Sequence, residues 1–527
     1  ATLWPVYELV ERWGVRCLLQ GDVLPEATQG GGQVNADTAL RVPAQDIVME
    51  PNFPVRSWRV INDFAMGPEC WGIDDYRPVL DQLAASGLRL DRFFSGHPSC
   101  SPTRASVITG RHPNRCGTFA PNFSIRPEEI SVATILKRAG YATAHFGKWH
   151  LGPVKKDSPT SPGAMGFDSW LSHDNFFELD PVLSRNGAAP KKIEGEGSEI
   201  LISETVGFIR RASAEKKPFF AVVWFGSPHE PYSGLDKDLA LYRDVRKAYP
   251  NKTVRLTSNK TGRPTTRPLG EVLQERYAEI TAMDRSIGQL RDWLGEAGLR
   301  KNTLLWYCGD NGTPAGGIVT SPLRGRKGTM YDGGIRVPGV IEWPAAISKP
   351  RVSDVNSVTS DILPTLCEII GRPFEKESKR PIDGISLVPL IEGKMTKRDK
   401  PIGFWSFNQA NIVRARPYIA SELQKGTTPL VKMLGGRYTR NFTNYHHPKI
   451  REQDFGGARV LLERRYKLIV RSRKGKPDTS ELYDGRKDPA EKQNLLASEP
   501  AVVRSMQRKL RAWQQSVLQS LTGADYR

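Results

Sequence analysis

Cys100-Ser101-Pro102-Thr103-Arg104, running on through Ala105 to Thr109-Gly110-Arg111, is the stretch on which the reading of this chain turns. The proline fixes the backbone between Cys and Arg, and Gly110 closes the segment that follows. The string therefore predicts a strained loop feeding a helix that presents two side chains to a pocket. A lone Cys carries no chemistry by itself, being usually a small buried hydrophobe, so the surrounding chain has to decide.

Working outward, 79–84 is an amphipathic pattern ended by Gly87, and Leu88 to Phe94 is strand-like and delivers the chain to the Cys. After it, Val132 to Arg138 reads as a helix stopped by Gly140. It leads to Tyr141-Ala142-Thr143-Ala144-His145-Phe146-Gly147-Lys148-Trp149-His150-Leu151-Gly152. Lys148 and His150 lie two apart, so on an extended chain both point to one side. From Gly166 to Asp180 the chain reads as an aromatic loop. The apolar run 218–225 predicts a strand covered on both faces and ends at Ser227-Pro228-His229, the strand end where ligands sit in α/β folds. Glu271 to Glu296 predicts a helix, with Leu273, Tyr277, Ile280, Ile287, Leu290 and Leu294 on one stripe. A second apolar strand, 303–308, runs into Gly309-Asp310-Asn311-Gly312, whose carboxylate and amide oxygens are the hard donors that calcium takes. Alone, Asp-Asn-Gly is a turn. The end of the chain predicts strands at 466–470 and 481–484 and a helix bearing Val503, Met506, Leu510, Trp513 and Val517.

The N-terminal part is different in character. Gln29-Gly30-Gly31-Gly32 reads as a linker, and Val60-Ile61-Asn62-Asp63 as a short buried strand ending in polar residues. The chain opens with Ala-Thr-Leu-Trp-Pro rather than Met and a signal segment, which reads as a processed product or a fragment.

At 527 residues, one large domain plus a smaller one is the prior, and 39% hydrophobic with 25% charged residues fits a well-cored globular protein. No run of eighteen apolar residues is present, so no membrane span is expected. A formal charge of +19 predicts attraction to anions, and the absence of any nucleic-acid motif argues against nucleic acid. Cys17, Cys70, Cys100, Cys116, Cys308 and Cys367 show neither zinc spacing nor a disulfide framework.

Taken together, Cys-x-Pro-x-Arg with Thr-Gly-Arg, Gly-Lys-Trp-His-Leu-Gly, the Asp310-Asn311 pair, Leu323 to Thr329 and Gly333 to Pro338 resemble the sulfatase family of the alkaline phosphatase superfamily, over roughly residues 79 to 520. Within that family the chain resembles the bacterial arylsulfatases and N-acetylgalactosamine-6-sulfatase-like enzymes. The resemblance implies an α/β fold: a large mixed, mostly parallel central sheet with helices on both faces, plus a smaller C-terminal antiparallel sheet with a helix. The expected division is 1–79, an atypical N-terminal segment of fused or chimeric character; 80–396, catalytic; and 397–527, a C-terminal subdomain. The resemblance further implies that Cys100 is matured to formylglycine, whose hydrate is the nucleophile, by a formylglycine-generating enzyme. Arg104 and Lys148 then stabilise nucleophile and sulfate charge, Lys327 binds sulfate, His150 faces the formylglycine hydroxyl, and His229 protonates the leaving alcohol. One Ca2+ is held by Asp310, Asn311 and an N-terminal carboxylate, with Asp63 the first candidate and Asn62, Asp74 and Asp75 behind it. The implied reaction is sulfate ester hydrolysis on a sulfated glycan in a periplasmic or secreted setting; oligomeric state stays open. Two alternatives stand beside it, a phosphonate or phosphate ester hydrolase of the same superfamily and a metal-deficient binder of sulfated glycans.

Overall fold

The amphipathic pattern that precedes Gly87 folds as α1, Pro78–Ser86. It is the first element of the computed structural model, which describes residues 78–526 apart from 176, 178, 259–260, 262, 314–321, 415, 430–438 and 474. After it come β1 (Leu88–Leu90), α2 (Cys100–Thr109), α3 (Val132–Arg138), β2 (Ala142–Lys148) and β3 (Ser169–His173). The stretch read as a loop from Gly166 to Asp180 thus contains a strand, because Trp170 and Leu171 are buried beside β2. The chain continues through β4 (Val182–Arg185), β5 (Lys191–Lys192), α4 (Gly197–Ala214), β6 (Phe219–Trp224), the long α5 (Leu269–Glu296) and β7 (Leu305–Cys308). It then forms β8 (Gly339–Glu342), β9 (Arg351–Ser353) and α6 (Ile362–Ile369).

These strands form two mixed sheets, ordered β5-β4-β3-β2-β6 and β7-β8-β1-β9. In the first, β2 lies between β3 and β6 and is parallel to both, while β4 and β5 add antiparallel strands at one edge. Alternation along β2 separates its faces. Ala144 and Phe146 pack with Leu201, Phe208 and Ile209 of α4 and Leu294 of α5. His145 turns the other way, onto Trp149, Phe167 and Trp224. On that side Ile135 and Leu136 of α3, Ala105 and Ile108 of α2, and Leu363 and Cys367 of α6 complete the core. Each buried Leu, Ile or Phe contributes about 1.5–3 kcal/mol through burial, and the two layers fix where β2 and α2 end relative to each other.

Among the described residues β6 and β7 are the terminal strands of their sheets, and a cavity of about 1040 Å3 is lined by residues 218–229 and 302–313. That space explains a departure from the sequence expectation. The run Phe219–Trp224 is only half-buried except at Val222, because the edge facing β7 has no strand against it among the described residues.

The C-terminal part begins at β10 (Ile402–Phe407) and includes a hairpin of β11 (Lys425–Pro429) and β12 (Thr439–Asn441). Then β13 (Gly457–Glu463), β14 (Tyr466–Arg473) and β15 (Lys476–Asp484) extend β10 into an antiparallel sheet ordered β10-β13-β14-β15. α7 (Pro500–Leu521) covers one face, placing Val503, Met506 and Leu510 on Leu461, Leu468 and Leu482. The alternate residues Val460, Leu462 and Ile469 face Phe94, Met330 and Ile335.

Candidate active site

The site is built at the first turn of α2. Ser99 is extended (φ −153, ψ 159) and Cys100 is the first helical residue, so the expected strained loop is instead a helix N-terminus. The unpaired amides and the dipole there favour negative charge at residue 100. Thr103 fastens this end by donating from Oγ1 to the His97 carbonyl at 2.6 Å. Arg104 follows one turn later on the same face, and Gly110 closes the helix in the left-handed region (φ 66).

Cys100 is 3% exposed. Its Sγ receives Lys327 Nζ at 3.2 Å and donates toward Asn311 Oδ1 at 3.3 Å. Lys327 is aimed by its own backbone, which donates to the Thr313 carbonyl at 2.8 Å, while the next amide, Gly328, donates to the Pro98 carbonyl at 2.8 Å. Burial opposes ionisation of the thiol, but Lys148, Lys327 and Arg104 together hold its pKa below the ordinary value.

Arg104 is held on three sides. Nη1 donates to the Lys148 carbonyl at 2.9 Å, Nη2 to Asp310 Oδ2 at 2.8 Å, and Cζ lies 4.7 Å from the Trp224 ring centroid. Asp310 resists its own burial because Arg104, Lys148 and Lys327 surround it, and its pKa falls to about 2. Lys148 is the last residue of β2 and is buried; desolvation pulls its ammonium down to about 8. Among the described residues no carboxylate forms an ion pair with it.

The extended-chain expectation for His150 fails. β2 ends at Lys148 and His150 is left-handed (φ 57), so the chain turns there. The imidazole is nonetheless buried, and neither ring nitrogen has a hydrogen-bond partner among the described residues. Burial, then the charge of Lys148, Arg440 and Arg104, holds it neutral far below its ordinary pKa. His229 follows β6, and its Nδ1 lies 2.6 Å from the Glu230 carbonyl; donation there fixes Nδ1 as the protonated nitrogen of the neutral ring. Burial, Lys327 and Lys148 likewise keep this ring neutral.

The structure thus brings Cys100, Arg104, Lys148, Asp310, Asn311 and Lys327 into one linked cluster, with His150 and His229 close enough to share its field. Asp63, Asn62, Asp74 and Asp75 lie outside the described residues. No group of three or more potential metal-binding side chains occurs among the described residues. Asp310 and Asn311 are adjacent hard oxygens at a strand end among three cations, a donor set that fits calcium but supplies only two of its roughly six to eight oxygens.

Sequence reasoning missed Arg440 of β12, whose charge is felt at Cys100, His150 and His173. Nothing in its local sequence marks it, since the hairpin reaches the site only through tertiary packing. Trp224 was read as part of a strand, and its stacking under Arg104 carries no sequence signal.

A sequence model of the sulfatase family matches residues 71–371, more than half of the chain. An N-acetylgalactosamine-6-sulfatase of Rattus norvegicus is 28% identical over 385 residues, covering 65% of this chain and 66% of that relative, just under two thirds of its length. An ulvan-active sulfatase of Formosa agariphila is 32% identical over 294 residues, covering 55% of this chain and 56% of the relative. Among solved structures, a Bacteroides thetaiotaomicron protein studied in the metabolism of multiple glycosaminoglycans superposes with a TM-score of 0.62 at 22% identity, covering 86% of this chain and 94% of that one. The fold is shared across that distance.

Proposed function

The chain belongs to the sulfatase family, and from that premise we propose that it hydrolyses sulfate esters of a glycan, with residue 100 as the nucleophile. The observation that carries this reading is the setting of Cys100: a helix N-terminus, with Lys327 Nζ at 3.2 Å and Asn311 Oδ1 at 3.3 Å, and Arg104 one turn along the same face. The thiol marks the position that the formyl group takes after maturation. Oxidised to formylglycine, residue 100 supplies a hydrated aldehyde as nucleophile and a route to release sulfate by breaking a carbon–oxygen bond.

The remaining roles fall to side chains already in place. Lys148 and Lys327 take sulfate oxygens, and desolvation makes their charge count for more than it does in water. Arg104 does not move to do its part, since the Lys148 carbonyl, Asp310 and Trp224 hold it. His150, buried and held neutral beside Lys148, is assigned to the formylglycine hydroxyl. His229, with Nδ1 committed to the Glu230 carbonyl, offers Nε2 to the leaving oxygen. Its proton is disfavoured by burial and then by Lys327 and Lys148, so binding of the anionic sulfate between the lysines offsets their charge and favours the imidazole taking up and delivering a proton.

We assign calcium to Asp310 and Asn311, completed by Asp63; when bound, it supplies Lewis-acid polarisation of the sulfate. Asp63 is put forward from the sequence, where the strand-like Val60-Ile61-Asn62-Asp63 ends in the needed carboxylate. A sulfated glycan is supported by the +19 formal charge and by the glycan-directed names of the relatives. The test is purification with the maturation enzyme, followed by hydrolysis of aryl and glycan sulfate esters beside the matching phosphate and phosphonate esters. Turnover of the phosphorus esters alone would replace this reading.

A further inference from the structure

Several buried arginines of this protein are given carboxylates. Arg111 meets Glu129 and Asp525, Arg115 meets Asp383, Arg291 meets Glu342, and Arg398 meets Asp361. Arg440 is not. It is half-buried, it donates from Nη1 to Asn122 Oδ1, its Nε is buried without a hydrogen-bond partner, and among the described residues no carboxylate pairs with it. A guanidinium has five donors in a planar fork, and most of this one is uncommitted beside the active site.

Its position is enforced from two directions. Asp174, the residue after β3 and fully buried, clamps the β11–β12 hairpin: Oδ2 accepts from Thr427 N at 2.6 Å, Thr428 N at 2.7 Å and Thr428 Oγ1 at 2.9 Å, while Oδ1 accepts from Val154 N at 2.8 Å. Gly426 is required there, because a Cβ would stand 2.6 Å from the Arg440 carbonyl and 2.7 Å from Asp174 Oδ2. Beyond Arg440, Thr443 N donates to the Asn122 carbonyl and Ser124 N to the Thr443 carbonyl, each at 2.9 Å. Phe442, fully buried between them, sets its ring 6.3 Å from that of His150. β3 pairs with β2 in a register that places His173 opposite Lys148. The clamp therefore ties Arg440 to the same strand ends that hold the sulfate-binding lysine.

We infer that Arg440 is a specificity-determining residue that binds a second anionic group, a carboxylate or another sulfate, on the saccharide carrying the scissile ester, and that Asp174 is its positioning residue. The inference rests on the sulfate-ester reading above and names the substrate class within it: a polyanionic glycan. Both anions present paired oxygens that match the guanidinium fork.

The test compares the matured wild-type enzyme with R440A and R440K on four substrates: an aryl sulfate, a singly sulfated neutral disaccharide, a sulfated disaccharide bearing a uronate, and a disulfated one. R440A is expected to lose at least about tenfold more kcat/KM on a polyanionic substrate than on the aryl sulfate, the scale of charge-assisted hydrogen bonds, with the loss in KM and partial recovery in R440K. Selective loss on the uronate substrate identifies a carboxylate partner, and on the disulfated one a sulfate partner. Equal loss on all four substrates, or loss on none, overturns the inference. Should the wild type turn over no sulfate ester, the sulfate-ester reading fails separately. Calorimetric binding of the uronate and disulfated disaccharides to wild type and R440A then decides Arg440 alone, with equal affinities contradicting it.

Discussion

Lys327 sets its Nζ 3.2 Å from Cys100 Sγ, a contact between residues 227 positions apart in the chain. The contact is made by a loop whose two neighbouring amides are fixed to Thr313 and Pro98, so the ammonium is aimed before any substrate arrives. Replacing Lys327 by Ala is expected to lower kcat by about 10²–10³, the range for removing one preorganised donor to developing charge. Circular dichroism and the melting temperature should stay near wild type. A K327A enzyme with undiminished kcat would remove Lys327 from the sulfate site.

Asp310→Asn should abolish calcium binding in calorimetry. It should also loosen Arg104, which loses its 2.8 Å carboxylate partner. Wild-type protein should gain thermal stability with calcium, by about 2.7 kcal/mol at a hundredfold excess over Kd, and D310N should not. Asp63→Ala should behave as D310N does in both measurements. Unchanged calcium affinity in D63A would transfer the third ligand to another carboxylate.

Glu342 lies under α1 and α5, where Arg291 and Arg300 reach it at 2.8 and 2.7 Å and Ser86 donates at 2.8 Å. These donors outweigh burial and hold its pKa down to about 2. Glu342→Ala leaves Arg291, itself 5% exposed, without its charge partner, and should cost about 3–5 kcal/mol. Chemical denaturation measures it; a loss below about 1 kcal/mol would show the pair to be solvated.

His112 and His173 are buried and held neutral, each with a pKa depressed to about 3 by desolvation. Because the folded values lie below the unfolded value of about 6.5, this contribution to stability is complete above pH 6.5 and is lost as the pH falls toward 3. Each group then adds about 1.36 kcal/mol per pH unit to the slope. The melting temperature should therefore begin to fall below pH 6.5, before the carboxylates titrate. H112Q should flatten that slope, and a melting temperature constant from pH 6.5 to 5 would contradict the assignment.

Much of this was legible in the sequence wherever a local signal and its chemistry coincide. Gly87, Gly140 and Gly298 end helices where their lack of a side chain predicts it, and the apolar runs at 219–224 and 305–308 are strands carrying His229 and Asp310 at their ends. The extended-chain expectation for Lys148 and His150 failed because a two-residue spacing says nothing about a left-handed turn after Lys148. Arg440 was invisible because its place depends on hydrogen bonds from Thr427 and Thr428 to Asp174, more than 250 residues away.

The central claim is tested most directly by peptide mass spectrometry across Cys100 on protein matured in its native host, with sulfate release from a glycan sulfate ester measured on the same sample. The account predicts formylglycine at position 100 and calcium-dependent sulfate release that is lost in C100A. An unmodified thiol at position 100 accompanied by undiminished sulfate release, or release that survives in C100A, would contradict it.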